Sequence, residues 1–314
     1  MLKVGLIGVG GISGAHIPAW DGMEDAELTA LCDIRPGQME KYPSKHHYER
    51  FDDMLEQEPL DILDICLPTY LHTAYAEKAM RRGIHVLCEK PVSLHAVDIP
   101  RLTETAAKQG VKFMVAQVLR FWPEYEQIKE LYESRRYGRL VAGSMSRLGG
   151  YPSQSWDGWM MDEKRSGLVP FDLHIHDLDF LVYAFGTPKN ATRFRAKEKT
   201  QDYVNAVYEF DGFFVTADAS WYASPVPFRM GFRFQFEEAV AVYEDNRLTI
   251  YERSGRVFSP QEEKAGDSGI LQLPETDAYA NEIRYFANAV QNDTPIDRVT
   301  PESLTTVLRL LKSL

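Results

Sequence analysis

Asp172 and His176 stand four residues apart in the run Asp172-Leu173-His174-Ile175-His176-Asp177-Leu178-Asp179, a spacing that stacks one side chain above the other on a helix. A carboxylate so placed sets the tautomer of an imidazole and raises its basicity, which suits the pair to moving a proton near neutral pH. The same letters also fit helix-capping acids and a core histidine. No metal site is expected, because His174 and His176, two residues apart, diverge on a helix. Lys90 is the third reactive candidate. It lies in Cys88-Glu89-Lys90-Pro91, directly after an apolar strand-like run, where ligands collect outside the carboxyl ends of parallel strands. A desolvated lysine there polarises or deprotonates a hydroxyl. The alternative is a solvated loop lysine beside a proline turn.

The other chemical signal is at the start of the chain. Gly8-Val9-Gly10-Gly11-Ile12-Ser13 follows the apolar run Val4-Gly5-Leu6-Ile7 and has the form of a dinucleotide-binding turn. Gly8 permits the bend from strand to helix, Gly10 lets a pyrophosphate approach the backbone, and the helix start faces the phosphates. Gly8, Gly10, Gly11 and Ile12 are therefore assigned to the cofactor, although Ser13 stands where a third glycine is usual. Asp33 ends the next strand-like run, Glu27 to Cys32, at about the 20-residue spacing of an acid that bonds the adenosine ribose. Its charge favours NAD over NADP, whose 2'-phosphate it repels; Arg35, two residues on, is a phosphate ligand that pulls the other way.

Positioning these residues takes two kinds of domain. Up to residue 120, short apolar runs (Val4 to Ile7, Glu27 to Cys32, Ile62 to Leu67, His85 to Cys88, Lys112 to Ala116) alternate with helical stretches, the pattern of a doubly wound parallel sheet. Beyond it, strand-like runs from Leu140 to Tyr251 are joined by turns such as Asp211-Gly212 and Asp245-Asn246, which predicts a large open, mostly antiparallel sheet. Helices are expected at Phe171 to Phe185, Ala278 to Gln291 and Pro301 to Leu314. The expected domains are 1–120 for the dinucleotide and 121–314 for the substrate and for oligomerisation. A sheet covered by helices on one side predicts a homo-oligomer, dimer or tetramer, formed through the other.

At 314 residues and a net charge of −11, the chain suits a small-molecule enzyme and not a nucleic-acid binder, which needs clustered Lys and Arg. It lacks a basic leader and a long apolar run, so a cytoplasmic protein without a membrane segment is expected. Cys32, Cys66 and Cys88 sit in apolar runs without metal-ligand or disulfide spacing and read as reduced core residues.

Taken together, Gly8 to Ser13 with His16, then Asp33, Leu67-Pro68-Thr69 with His72, Glu89-Lys90-Pro91, and Asp172 through His176-Asp177 resemble the glucose-fructose oxidoreductase, inositol dehydrogenase and MocA family along essentially the whole chain. The resemblance implies an N-terminal Rossmann domain, a C-terminal α/β domain on an open sheet, and a nicotinamide cofactor. It makes Lys90, Asp172 and His176 the catalytic lysine, aspartate and histidine. It places Pro68, Thr69 and His72 near the cofactor, Glu89 near the nicotinamide ribose, and Gln117 and Arg120 at the edge of the site, with Arg120 toward substrate. The chain departs from the family in the lead into Asp172, where only Gly167 remains of a glycine-rich stretch, and at His174, where a glycine is common. His174 is either a substrate contact or a buried, hydrogen-bonded ring. Trp156 and Trp159 have the apolar faces that suit a sugar or cyclitol, or else pack between domains.

The expected function is hydride transfer between a secondary alcohol of a sugar, glycoside or cyclitol and NAD(P), with NAD the preferred cofactor. Two rivals stand beside it: an NAD-dependent enzyme that cleaves a glycosidic bond through transient oxidation, and a non-catalytic dinucleotide-sensing regulator.

Overall fold

The computed structural model describes residues 1–260 and 277–312. In chain order the N-terminal part forms β1 (Leu2–Ile7), α1 (Ser13–Asp21), β2 (Ala26–Cys32), β3 (His46–Tyr48), α2 (Phe51–Gln57), β4 (Ile62–Ile65), α3 (His72–Met80), β5 (His85–Cys88), α4 (Asp98–Gln109) and β6 (Phe113–Val115). The strands make one parallel sheet in the order β3-β2-β1-β4-β5-β6. Helices cover both faces of such a sheet, so its central strands read as continuous apolar runs; every residue of β4 is buried, and so are Val4 to Ile7 of β1. Strand order reverses between β1 and β4. At that reversal the loops beyond the carboxyl ends splay apart and leave a crevice for a ligand, bounded by the turn at Gly8 and the loop at Leu67.

The rest of the chain contributes α5 (Pro123–Ser134), β7 (Leu140–Gly150), α6 (Glu163–Ser166), α7 (Ile175–Phe185), β8 (Asn190–Glu198), β9 (Gln201–Glu209), β10 (Phe214–Tyr222), β11 (Arg229–Phe236), β12 (Ala239–Glu244), β13 (Arg247–Glu252) and β14 (Val257–Phe258), followed by α8 (Ala278–Gln291) and α9 (Pro301–Leu311). The expected last helix reached Leu314; residues 313–314 lie outside the described residues. Strands β7 to β14 form a sheet in the order β14-β13-β12-β11-β7-β10-β9-β8, antiparallel throughout except where β7 runs parallel to β10. Alternate side chains of β9, Val204, Ala206 and Tyr208, are fully buried, as one covered face requires. Tyr125 of α5 packs edge-on against Phe180 of α7 and Phe232 of β11, with ring centroids 5.0 and 4.9 Å away. That cluster seats both helices on the sheet.

The described residues divide into two compact units, one of Met1–Val118 with Asp277–Thr305, the other of the remainder. A single cut near residue 120 was expected; instead α8 returns to the first unit, where it packs on α1. An amphipathic helix carries no label for the domain it joins, so sequence order alone assigned it to the second. Among the described residues no helix is long and apolar enough to cross a membrane.

Candidate active site

In the first unit, β1 delivers the chain into a turn that only glycine enters without strain at its first position. Gly8 has φ 92°, and a Cβ there would lie 2.6 Å from the carbonyl oxygen of Cys66. Gly10 differs in kind: a Cβ built on it meets nothing within 4 Å. Open space over backbone at the start of α1 is the cradle that a pyrophosphate needs. Gly11 and Ile12 complete the turn, with Ile12 at the N-terminal boundary of α1. Asp33, buried at the end of β2, accepts the Val9 backbone N–H at 2.9 Å and the Arg35 N–H at 2.8 Å. Its carboxylate is thereby fixed beside the turn. The Arg35 guanidinium folds back onto it, with Nε 3.2 Å from Oδ1. These residues fit a dinucleotide.

Beyond β4 and β5 lie the other expected cofactor residues. Pro68 is half-buried and Thr69, buried, opens a short 3-10 turn into α3. His72 at the start of α3 ties two loops together, with Nε2 2.6 Å from the Leu67 carbonyl and Nδ1 2.8 Å from that of Pro91; burial pushes its pKa down. The Lys90-Pro91 peptide is cis. Glu89 is buried and accepts the Lys90 backbone N–H at 3.0 Å, while the Lys90 side chain is half-exposed. Gln117 follows β6 and is 2% exposed. Cys32, Cys66 and Cys88 are free and buried. Burial pushes the Cys32 and Cys66 thiols up to about 12 and that of Cys88 well above its usual value, so all three stay protonated and unreactive.

In the second unit the expected helix from Phe171 begins differently. Pro170–His174 is a π-helical turn that runs into α7, a wider winding often found where a side chain must be aimed at a ligand. The chain enters it through Gly167 at φ 76°, where a Cβ would lie 2.5 Å from the Phe171 ring. From Ser166 to Val182 every residue is buried except Asp172 and His176, which are both half-exposed. The helical winding thus brings this acid and this base to one open face.

Arg120, read toward substrate, and His174, read as a substrate contact or a buried ring, are both buried. Arg120 is 1% exposed and forks onto Asp179 with bonds of 2.8 and 2.6 Å, while its guanidinium lies 5.1 Å from the Tyr183 ring centroid. A bidentate buried pair of this kind holds α7 in place. His174 is fully buried, with Nε2 2.7 Å from the Tyr208 hydroxyl. Burial, then the charges of Arg193 and Arg147, push its pKa down to about 3, so the ring is neutral and turned into the core. Trp156 and Trp159 do stay open. They share a 3-10 turn bent through Asp157 and Gly158, with Trp156 37% exposed and Trp159 half-buried. An ion pair from Arg165 to Asp157, 3.0 Å long, braces that turn.

Sequence reasoning gave no role to His16, Asp64 or Glu282, all fully buried in the first unit. Two of them carried a signal. Asp64 interrupts the strand Ile62-Leu63-Asp64-Ile65, and Glu282 falls on the apolar stripe of α8 beside Ile283 and Phe286.

Comparison with known proteins agrees with this architecture. Residues 2–117 match the GFO/IDH/MocA oxidoreductase family, NAD-binding Rossmann fold, and residues 125–257 match the GFO/IDH/MocA C-terminal domain. The chain is 25% identical over 310 residues to the inositol 2-dehydrogenase of Rhizobium meliloti (strain 1021), covering 94% of this chain and 90% of that one. To the D-glucoside 3-dehydrogenase of Escherichia coli (strain K12) it is 27% identical over 192 residues, 60% of this chain and 55% of the relative. An oxidoreductase from Agrobacterium radiobacter, solved with NAD+, L-tartaric acid and magnesium, shares the fold with a TM-score of 0.82 over 99% of this chain and 94% of that one, at 18% identity.

Proposed function

Because this chain belongs to the GFO/IDH/MocA family of NAD-binding oxidoreductases, we propose that it is a dehydrogenase of a secondary alcohol on a sugar, glycoside or cyclitol. The observation that carries this reading is the pair Asp172 and His176, exposed together on an otherwise buried helical stretch. Oxidising an alcohol requires removal of its hydroxyl proton and of a hydride from the same carbon. The nicotinamide, when bound, accepts the hydride. His176 takes the proton as general base, and Asp172 on the same face orients its ring and stabilises the positive charge it gains. Lys90 donates a hydrogen bond to the oxygen as alkoxide character grows. Trp156 and Trp159 offer the apolar surfaces on which a sugar ring stacks. The names of the two relatives, an inositol and a glucoside dehydrogenase, support a polyhydroxylated ring as substrate.

NAD is the proposed physiological partner, held at the Gly8 to Ile12 turn with the adenosine ribose at Asp33. Copies of the chain are proposed to associate through the open face of the sheet β7 to β14. The test of the reaction is a panel of cyclitols, free sugars and glycosides with NAD and then NADP, followed by absorbance of reduced nicotinamide and by mass spectrometry of products. Net NADH from an alcohol is expected, and Lys90→Ala should lower turnover by about 100-fold or more. Release of an aglycone without net NADH would replace this reading with glycosidic cleavage, and unchanged turnover in Lys90→Ala would remove the lysine from it.

A further inference from the structure

Beneath the proposed nicotinamide end of the first unit lies a buried polar chain that the reaction scheme leaves without a task. His16, on α1, directs Nδ1 at Asp64 Oδ2, 2.8 Å away, and Nε2 at Glu89 Oε1, 3.0 Å away. The side chains of His16 and Asp64 are wholly excluded from solvent. Asp64 also accepts Trp20 Nε1–H at 2.8 Å, and the Cys66 thiol lies 3.7 Å from its other oxygen. The second oxygen of Glu89 is the one that accepts the Lys90 backbone N–H. Continuous contacts therefore run from the middle of β4 through α1 to the backbone of the proposed catalytic lysine.

His16, Asp64 and Cys66 lie close enough together to hold a metal ion, but the bonding argues against one. Both ring nitrogens face carboxylate oxygens, and a ring so placed donates two N–H groups instead of offering a lone pair to a cation. Two buried carboxylates that are both ionised on either side of one ring are tolerable only if the ring is charged.

We infer that His16 is a positioning residue, a buried imidazolium bridge between Asp64 and Glu89 that fixes the Glu89 carboxylate against the Lys90 backbone. The inference rests on the proposed cofactor reading, in which Glu89 lies near the nicotinamide ribose. Burial, the largest single influence, would lower the His16 pKa, but Asp64, by charge and hydrogen bond, and then Cys66 beside it together outweigh burial and hold the ring well above its ordinary value. Glu89 responds in kind: burial would raise its pKa, yet the His16 bond and charge, then Lys90, keep it low.

Other groups face the bridge from each packed element. Tyr279 of α8 lies 6.0 Å from the His16 ring, centroid to centroid, and His72, whose pKa burial pushes down, stands near Glu89 as a neutral ring. Cys66, 3.7 Å from Asp64 Oδ1, is the thiol nearest the bridge, and burial pushes it up to about 12. Glu282 of α8 is the remaining acid. Neither of its oxygens has a hydrogen-bond partner of good geometry, the Gln117 backbone N–H being only a weak one, and burial followed by the Glu89 charge holds its pKa well above 4.5. It is therefore the neutral member. Glu282 thus adds no negative charge beside Glu89.

The test uses the full chain and NADH alone, read by nicotinamide fluorescence, so no substrate need be known. His16→Gln keeps a donor but loses the charge and the second bond, and should weaken NADH binding about tenfold. Because the bridge is intact below the raised His16 pKa and lost above it, binding to the unsubstituted chain should weaken as pH rises through that value, and His16→Gln should flatten this limb. Glu89→Gln and the double variant close a cycle. If His16 acts through Glu89, the double variant binds no worse than Glu89→Gln, whereas additive losses overturn the role. Failure of the unsubstituted chain to bind NADH overturns the cofactor reading and this inference together; binding with additive losses overturns this inference alone. Should His16→Gln fail to fold, 15N spectra of the unsubstituted chain decide the matter: two protonated ring nitrogens at pH 7 are expected, and a neutral ring refutes the bridge.

Discussion

His174 stands two residues from Asp172 and two from His176, yet its chemistry is the opposite of theirs. Its ring lies flat beside that of Tyr208, centroids 5.9 Å apart, and its pKa is pushed down to about 3 by burial and then by Arg193 and Arg147. In the unfolded chain the same ring takes up a proton near pH 6.5. Between those values the unfolded state holds a proton that the folded state refuses, so stability falls as pH falls below about 6.5, at up to about 1.4 kcal/mol per pH unit. His174→Gln can still meet the Tyr208 hydroxyl but does not titrate. Urea unfolding at pH 7, 6, 5 and 4 should give the variant the shallower decline; parallel curves would show that His174 is not held neutral. A sequence reading sees three reactive letters at 172, 174 and 176 and has only helical spacing to separate them. That spacing does put 172 with 176 and turns 174 away, but whether the turned-away ring meets substrate or core depends on Tyr208, which is 34 residues distant in sequence.

The turn between β1 and α1 makes two glycines with different jobs separable by one methyl group. At Gly8 a side chain meets the Cys66 backbone at 2.6 Å in a left-handed conformation, so Gly8→Ala should destabilise the protein by about 1–3 kcal/mol or more through displaced strand ends. At Gly10 the methyl meets nothing, so Gly10→Ala should melt near the unsubstituted temperature while binding NADH at least about tenfold more weakly, because the methyl occupies the space left for pyrophosphate. Normal NADH binding by Gly10→Ala would mean that the dinucleotide does not cross this turn. This element was legible because its cause is local: an apolar run, then glycines where the bend and the approach demand them. β5 and β11 fall at His85–Cys88 and Arg229–Phe236, as their bounded apolar patterns predict. Non-local causes left no such trace. β3 is three polar residues at a sheet edge, too short to show a period. The π-helical turn at Pro170 has the same apolar letters as an α-helix, since hydrophobic spacing does not report whether a backbone bond skips four residues or five. The parallel pairing of β7 with β10 joins strands separated by α6, α7, β8 and β9, and no local pattern names a distant neighbour.

At the scale of the whole molecule, the sheet β7 to β14 has one face filled and one that, among the described residues of its own unit, nothing covers. A single cross-strand row shows it: Tyr251, Val240, Gln235, Ala142, Phe214 and Glu209 are paired in register across six strands, and none of them is buried. The next row inward includes Val242 and Val207, half-buried, so apolar side chains recur among the polar ones. Eight strands at a spacing of about 4.8 Å and some 25 Å long offer roughly 950 Å² per copy, within the range of a standard protein interface. A chain carrying a net charge of −11 would repel its copy unless such an area were apolar enough to offset it, and this face presents Phe214 and Tyr251, each 46% exposed, for that purpose. Light scattering at on the order of ten micromolar should therefore give a multiple of the 35.9 kDa chain mass. Phe214→Glu with Val242→Glu places like charges on both sides of a self-complementary contact and should return the mass to that of one chain, with NADH affinity retained because the substitutions lie outside the cofactor unit. An unsubstituted chain that scatters as a monomer at this concentration would leave the open face to some other use.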